Sequence, residues 1–89
     1  MVKKGYQLTK AGEHFMIQRE EAEGRTVTLF ALNETGAFLW ERLILGKSEE
    51  ELFQSLKQEY EAEPDEEEEI RQDIRDFLSQ LSRMGVLEQ

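Results

Sequence analysis

The stretch ALNETGAFLWERLI, residues 31–44, decides the fold because it marks the point where a strand gives way to a helix. Leu32 ends a run of strand-forming residues, and Asn33 is a residue type whose side-chain oxygen caps helices. Apolar residues then recur on one face at helical spacing: Ala37, Trp40, Leu43 and Ile44. The spacing predicts a helix from about Glu34 to Leu45, with Trp40 in the core and Gly46 just past the helix end.

Two segments upstream of this junction have the features of strands. His14–Arg19 alternates between two sides with a period of two, as a half-buried strand does. Thr26–Ala31 is rich in β-branched and aromatic residues, which favour strands. The polar segment Glu20–Arg25 between them predicts a hairpin loop. Residues 1–13 leave two alternatives open, a flexible start or a short first strand at Tyr6–Leu8.

The period of two in the Thr26–Ala31 strand divides its side chains between two faces. Val27, Leu29 and Ala31 would share one face, and Thr26, Thr28 and Phe30 would share the other. This alternation predicts that Thr28 and Phe30 point outward.

Two further helices are predicted downstream. Ser48 and Glu51 have the spacing of a capping box that starts a second helix, and the segment before Pro64 ends it. Asp65 and Glu68 repeat that spacing at the start of a third helix. The apolar residues of these two helices are Leu52, Phe53, Leu56 and Tyr60, then Ile70, Ile74, Phe77, Leu78, Leu81 and Met84.

The end of the third helix is also marked in the sequence. Gly85 is placed to stop it in a left-handed cap, with Val86 in position for the accompanying apolar contact. Val86–Leu87 could add a short final strand. The predicted fold class is α+β and winged-helix-like, with a three-stranded antiparallel sheet followed by three helices.

Composition limits the class of protein. The chain has 89 residues, which suits a single domain over 1–89, and it contains no cysteine. Its basic N-terminus lacks the apolar stretch of a secretory signal, and no apolar run approaches the roughly 20 residues of a membrane span. We therefore expect a cytoplasmic protein without a membrane partner.

Charge argues against nucleic acid as a partner. The net charge is −9, and the segment Glu59–Glu69 holds eight carboxylates and no basic residue. Such a run is typical of a solvated loop and helix start, and it repels phosphate backbones. A docking surface for a basic partner or a divalent ion is the alternative interpretation of this run, although its spacing does not resemble a calcium-binding loop.

The residues that enzymes use are scarce here. His14 is the single histidine, and without cysteine the usual nucleophilic dyads and zinc sites lack their parts. The six glycines are scattered and form no phosphate-binding loop. We expect no catalytic residues, no cofactor and no metal, so the function is expected to lie in binding.

Two kinds of binding fit this arrangement. A winged-helix regulator would bind DNA through its third helix, but the first turn of that helix, Asp65–Glu69, is acidic. The other hypothesis is peptide capture, because an edge strand presents unpaired backbone groups to an incoming extended segment. Thr26–Ala31 is the candidate edge. Open edges would also allow two copies of the chain to pair as a homodimer.

Three segments together resemble one known family: LNETGAFLWERL at 32–43, GKSEEELFQSLKQEYEAEP at 46–64, and Ile70–Leu87. Their order and spacing resemble the PqqD-like family over residues 14–87, the recognition elements of ribosomally made, post-translationally modified peptides. The resemblance implies a non-catalytic protein that binds the leader of a precursor peptide as an added strand, in a groove walled by the third helix. It also implies a second partner, a modifying enzyme such as a radical S-adenosylmethionine protein, a cyclase or a protease.

One departure from the family pattern bears on the product. Members that serve pyrroloquinoline quinone synthesis carry a proline-glutamate-arginine segment before the helices, and the corresponding stretch here, TVTLFALNE, lacks it. The resemblance therefore favours a different modified peptide, such as a lasso or radical-modified one.

The resemblance also selects candidate peptide-binding residues. They are Thr26, Val27, Thr28, Leu29, Phe30 and Ala31 on the third strand, and Arg71, Ile74, Arg75, Leu78, Leu81 and Ser82 on the third helix. The apolar members have core packing as an alternative role. The two arginines could instead pair with Glu67 or Glu68 on their own helix.

Overall fold

Three strands are followed by three helices in the computed structural model, which describes residues 2–88. The elements are β1 (Tyr6–Ala11), β2 (His14–Glu20), β3 (Thr26–Leu32), α1 (Glu34–Leu43), α2 (Glu49–Glu59) and α3 (Glu67–Arg83). Short 3₁₀ turns lie at Ala22–Gly24 and Pro64–Glu66. The sheet is antiparallel in the order β1-β2-β3, so β2 is central and β3 lies at an edge. The predicted α+β class is confirmed.

The first strand is longer than the sequence predicted. All six residues of Tyr6–Ala11 pair with β2, and Gly12 makes the connecting turn with a φ of +65°. On one face of the sheet the Thr9 hydroxyl donates to the Gln18 side-chain oxygen at 3.0 Å. The Gln18 amide in turn donates to the Thr28 hydroxyl at 3.2 Å. This polar row crosses all three strands and leaves the opposite face for the core.

The predicted alternation of β3 is wrong because a bulge interrupts the strand. Ile17 pairs with Phe30 and the next residue, Gln18, pairs with Thr28, which leaves Leu29 as the extra residue. A bulge moves the residues beyond it to the other face. Phe30, which was predicted to point outward, therefore packs against the core, and Ala31 is exposed.

The core lies between the inner face of the sheet and the three helices. Trp40 is 1% exposed, which confirms its predicted core position. The buried cluster comprises Ile17, Leu39, Trp40, Leu43, Leu52, Phe53, Leu56, Ile70, Ile74, Phe77, Leu81 and Val86. Tyr60 and Met84 were assigned to apolar stripes but are 53% and 40% exposed. They are the C-cap residues of α2 and α3, so they lie beyond the helical turns that pack on the core.

Several predicted helix caps are confirmed in atomic detail. The Asn33 side-chain oxygen accepts a hydrogen bond from the Gly36 N–H at 2.7 Å. In the capping box of α2, the Ser48 hydroxyl accepts from the Glu51 N–H at 3.2 Å, and the Glu51 carboxylate accepts from the Ser48 N–H at 3.0 Å. That backbone N–H lowers the pKa of Glu51 below its ordinary value, because it stabilises the charged carboxylate.

Helices α1 and α3 end in the same way, each at a glycine that follows the helix. The Lys47 N–H donates to the Arg42 carbonyl across Gly46, which has a φ of +86°. The Val86 N–H donates to the Leu81 carbonyl across Gly85, with a φ of +73°. Both are Schellman motifs, in which a residue of left-handed conformation closes the helix end.

The predicted capping box at Asp65 and Glu68 is wrong. The Glu63 N–H donates to the Glu66 carboxylate at 3.1 Å, two residues earlier than expected. Pro64 fits the first position of a helical turn because it has no N–H to satisfy there, so the segment begins at Pro64. The cap therefore falls on Glu63.

The predicted final strand is reduced to a single bridge. Leu87 pairs with Val2 in an isolated antiparallel bridge, and the Lys3 N–H donates to the Val86 carbonyl at 2.9 Å. Val86 itself is fully buried. This contact holds the start of the described chain against the end of α3.

Replacing Asn33 with alanine is expected to cost about 1 kcal/mol of unfolding free energy, because the Gly36 N–H loses its partner at the start of α1. Asn33→Asp should retain most of that stability, since its carboxylate can accept the same bond. Urea denaturation of the three proteins measures the difference. A loss as large in Asn33→Asp as in Asn33→Ala would contradict this role for the cap.

Candidate functional site

The outer edge of β3 is the first part of the site. β3 pairs with β2 along one edge, and within residues 2–88 no strand pairs with the other edge. Edge strands present a row of N–H and C=O groups that can accept another strand. β1 has a second free edge, but the cleft described next adjoins β3 alone.

A cleft with a volume of about 350 Å³ lies between the end of β3, the first turn of α1 and one face of α3. We call it the edge cleft. Its lining residues are Ala31, Leu32, Asn33, Thr35, Gly36, Leu39, Asp73, Asp76, Phe77 and Gln80. The four residues from α3 are spaced at i, i+3, i+4 and i+7, so they form one face of the helix.

Gly36 permits the close approach of α1 to β3 at one end of the edge cleft. A Cβ atom built on Gly36 would lie 3.1 Å from Leu32 Cδ2 and 3.3 Å from the Asn33 side-chain oxygen. A larger residue would require these neighbouring side-chain atoms to shift by a few tenths of an ångström. The glycine in the stretch that decides the fold therefore also shapes the site.

A second cleft continues from the first toward the end of α2. It has a volume of about 320 Å³ and shares Thr35 and Asp73 with the edge cleft. At their junction the Thr35 hydroxyl lies 3.1 Å from the Tyr60 hydroxyl, within hydrogen-bond distance. We call this the far cleft, and its other lining residues are Leu56, Ala62, Glu66, Glu69 and Ile70. The two clefts make one continuous path from the edge of β3 along α3.

A comparison with protein families now gives a match over residues 13–87, to the family described as coenzyme PQQ synthesis protein D (PqqD). The chain belongs to the PqqD family. This confirms the resemblance carried by the three segments around residues 32–43, 46–64 and 70–87.

A solved structure shares the fold of this PqqD-family chain. It is "TbiB1 in Complex with the TbiA(beta) Leader Peptide", with a TM-score of 0.73 and 23% sequence identity. The match covers 98% of this chain and 93% of that one. Comparison with curated proteins gives no match.

The structure distributes the predicted strand residues unevenly around the site. Ala31 lines the edge cleft, whereas Thr26, Val27, Thr28, Leu29 and Phe30 precede it along the same free edge. Leu32 lines the edge cleft as well, although sequence reasoning used it only to mark the end of the strand. The free edge and the edge cleft thus meet at residues 31 and 32.

None of the predicted α3 residues lines the edge cleft. Ile74 and Leu81 are buried in the core at 1% and 0% exposure, and Leu78 is partly buried against it. Ser82 is exposed, on the side of the helix roughly opposite the cleft. The cleft is instead walled by Phe77, which sequence reasoning assigned to the apolar stripe, and by Asp73, Asp76 and Gln80, which it missed.

The two predicted arginines face α2 and their own helix. The Arg71 guanidinium lies 3.7 Å from the centre of the Phe53 ring and bonds the Glu50 carboxylate at 3.0 Å. That hydrogen bond lowers the pKa of Glu50. Arg75 pairs with Glu68 at 3.6 Å, one of the two pairings foreseen as the alternative to peptide contact. The Arg71 contacts hold α2 to α3 on the flank away from the edge cleft.

Neither cleft contains a basic side chain. The charged residues that line them are Asp73, Asp76, Glu66 and Glu69. No group of three or more potential metal ligands is arranged as a metal site within residues 2–88. In the same part of the chain, no helix is both long enough and apolar enough to cross a membrane.

Proposed function

We propose that this PqqD-family protein binds the leader segment of a ribosomally made precursor peptide by adding it as a fourth strand beside β3. The observation that carries the proposal is the free edge of β3 running into the edge cleft. Family membership supports it, as does the shared fold with a protein solved in complex with a leader peptide.

In strand addition, the backbone and the side chains of the peptide make different contributions to binding. The N–H and C=O groups on the free edge of β3 would pair with the leader backbone and supply affinity for any extended segment. Alternate side chains of an added strand point to the same face, so every second leader residue would face α3. The edge cleft would accept one or two of those side chains, and its shape would supply the selectivity.

The Leu29 bulge gives the edge a local shape of its own. Bulges increase the twist of a strand and bend it. A leader that pairs with β3 must follow that bend to reach the edge cleft from the Thr26 end. This favours peptides with β-forming residues along the paired segment and without an internal proline.

In this proposal the protein is non-catalytic and presents the precursor to a separate modifying enzyme. The leader would be held while the part to be modified extends beyond the sheet. A radical S-adenosylmethionine protein, a cyclase or a protease would then act on it, as the family resemblance implies. The chain supports this role because it has no cysteine and one histidine, His14, which is exposed on β2 away from the cleft.

A titration of isotope-labelled protein tests this function. The probe is the synthetic leader of the precursor peptide encoded nearest to its gene, with a scrambled version of that leader as the control. Amide shifts along 26–32 and 73–80 are expected for the leader and not for the scrambled peptide. Shifts confined to the β1 edge, or seen only with duplex DNA, would overturn strand addition at β3 and, in the second case, favour a winged-helix regulator.

A further inference from the structure

The charged residues that line the two clefts, from α3 and the turn before it, are all acidic. The flank that meets α2 carries Arg71 and Arg75, and each is paired with a carboxylate. The flank that lines the two clefts, extended by the turn before α3, carries the carboxylates Glu66, Glu69, Asp73 and Asp76 and no basic residue.

Among residues 2–88 the cleft carboxylates have no cationic partners. No ion pair among residues 2–88 includes Asp73 or Asp76. Asp76 accepts a hydrogen bond from the Gln72 side chain at 2.9 Å, which leaves its charge uncompensated. Carboxylates at i, i+3 and i+4 positions repel one another, so this row along the groove is unfavourable until a cation lies beside it.

The location of these charges connects them to the free edge. Asp73 and Asp76 share the edge cleft with Ala31 and Leu32, the last two residues of β3. Asp73 also lines the far cleft, into which a strand running past Leu32 would continue. A side chain projecting from that strand toward α3 would meet carboxylates on one wall and no opposing positive charge.

We infer that the groove selects leader peptides that carry a lysine or arginine beside Asp73 and Asp76, at the Leu32 end of the paired segment. The inference rests on the proposed strand addition and adds the charge of the recognised side chain. In an antiparallel arrangement the basic residue would precede the paired segment of the leader, and in a parallel arrangement it would follow it. An acidic residue at that place would be repelled.

The test combines charge changes in the protein and in the peptide. Asp73→Asn/Asp76→Asn keeps the side-chain shapes and removes two charges. Glu41→Gln/Glu59→Gln removes two charges from exposed positions outside both clefts and serves as the matched control. Each protein is titrated calorimetrically with the leader described above and with a version in which every lysine and arginine is replaced by glutamine.

We expect the Asp73→Asn/Asp76→Asn protein to bind the leader about tenfold more weakly, because a close charge pair at an interface is lost. The same variant should bind the glutamine version of the leader as the unaltered protein does. The Glu41→Gln/Glu59→Gln protein should bind each peptide within about twofold of the unaltered protein, because distant surface charges are screened. Equal leader affinity in the cleft variant and the unaltered protein would overturn the charge inference while leaving strand addition intact. Absence of leader binding by the unaltered protein would overturn both.

Discussion

Replacing Trp40 with alanine is expected to remove about 3–5 kcal/mol of unfolding free energy, the range for truncation of a core aromatic residue. Trp40 is 1% exposed and belongs to the cluster that joins the inner face of the sheet to all three helices. A small domain has a total stability of about 5–15 kcal/mol, so the loss would remove a large share of that stability. Urea denaturation followed by circular dichroism measures the change.

An exposed aromatic residue provides the control for this prediction. Tyr60 is 53% exposed and contacts the chain through its hydroxyl, 3.1 Å from that of Thr35. Tyr60→Ala should therefore cost about 1 kcal/mol or less, since surface truncations leave no cavity. A Trp40→Ala protein with the same denaturation midpoint as Tyr60→Ala would show that the core does not depend on the tryptophan.

The elements that local chemistry specifies were predictable from the sequence. The side chains of Asn33, Ser48 and Glu51 accept hydrogen bonds from backbone N–H groups at helix starts. Gly85 adopts the left-handed conformation that ends α3. These interactions span three or four residues, so a sequence carries them without knowledge of the tertiary fold. The order of strands and helices follows from such signals and from the period of the apolar residues.

Other local features had no sequence signal. Glu61 ends α2 in the left-handed conformation with a φ of 47°, a position where glycine is the usual residue. Leu29 forms the bulge in β3, yet it resembles any other strand residue in composition. The bulge depends on how β2 and β3 pair, which is a property of two segments and not of one.

Sequence reasoning placed the candidate site on β3, whose end lines the edge cleft, but on a different flank of α3 from the one that lines that cleft. The apolar stripe of α3 fixes which side meets the core, and both flanks of that stripe are polar. Arginines at 71 and 75 favoured one flank as a peptide contact. In the structure Arg71 joins α3 to α2 through Glu50 and Phe53, and Arg75 pairs with Glu68 on α3 itself. Which flank meets the sheet depends on the packing of the whole domain.

Two tryptophan substitutions on α3 distinguish these flanks by experiment. Gln80 is exposed and lines the edge cleft, so the larger ring of Gln80→Trp should occupy space that an added strand would use. We expect leader affinity to fall by about 10- to 100-fold, equivalent to about 1.4–2.8 kcal/mol. Fluorescence anisotropy with a labelled leader peptide measures the change.

Ser82→Trp places the same ring two residues further along, on the flank that sequence reasoning selected and the cleft does not include. Both positions are exposed, so both proteins should fold with similar stability, which circular dichroism checks. The structure predicts that Ser82→Trp retains the affinity of the unaltered protein. If Ser82→Trp lost affinity and Gln80→Trp retained it, the leader would lie on the arginine flank, and both the edge cleft and its carboxylates would lose their proposed role. The pair therefore distinguishes the two polar flanks of α3 as the place where the bound leader lies.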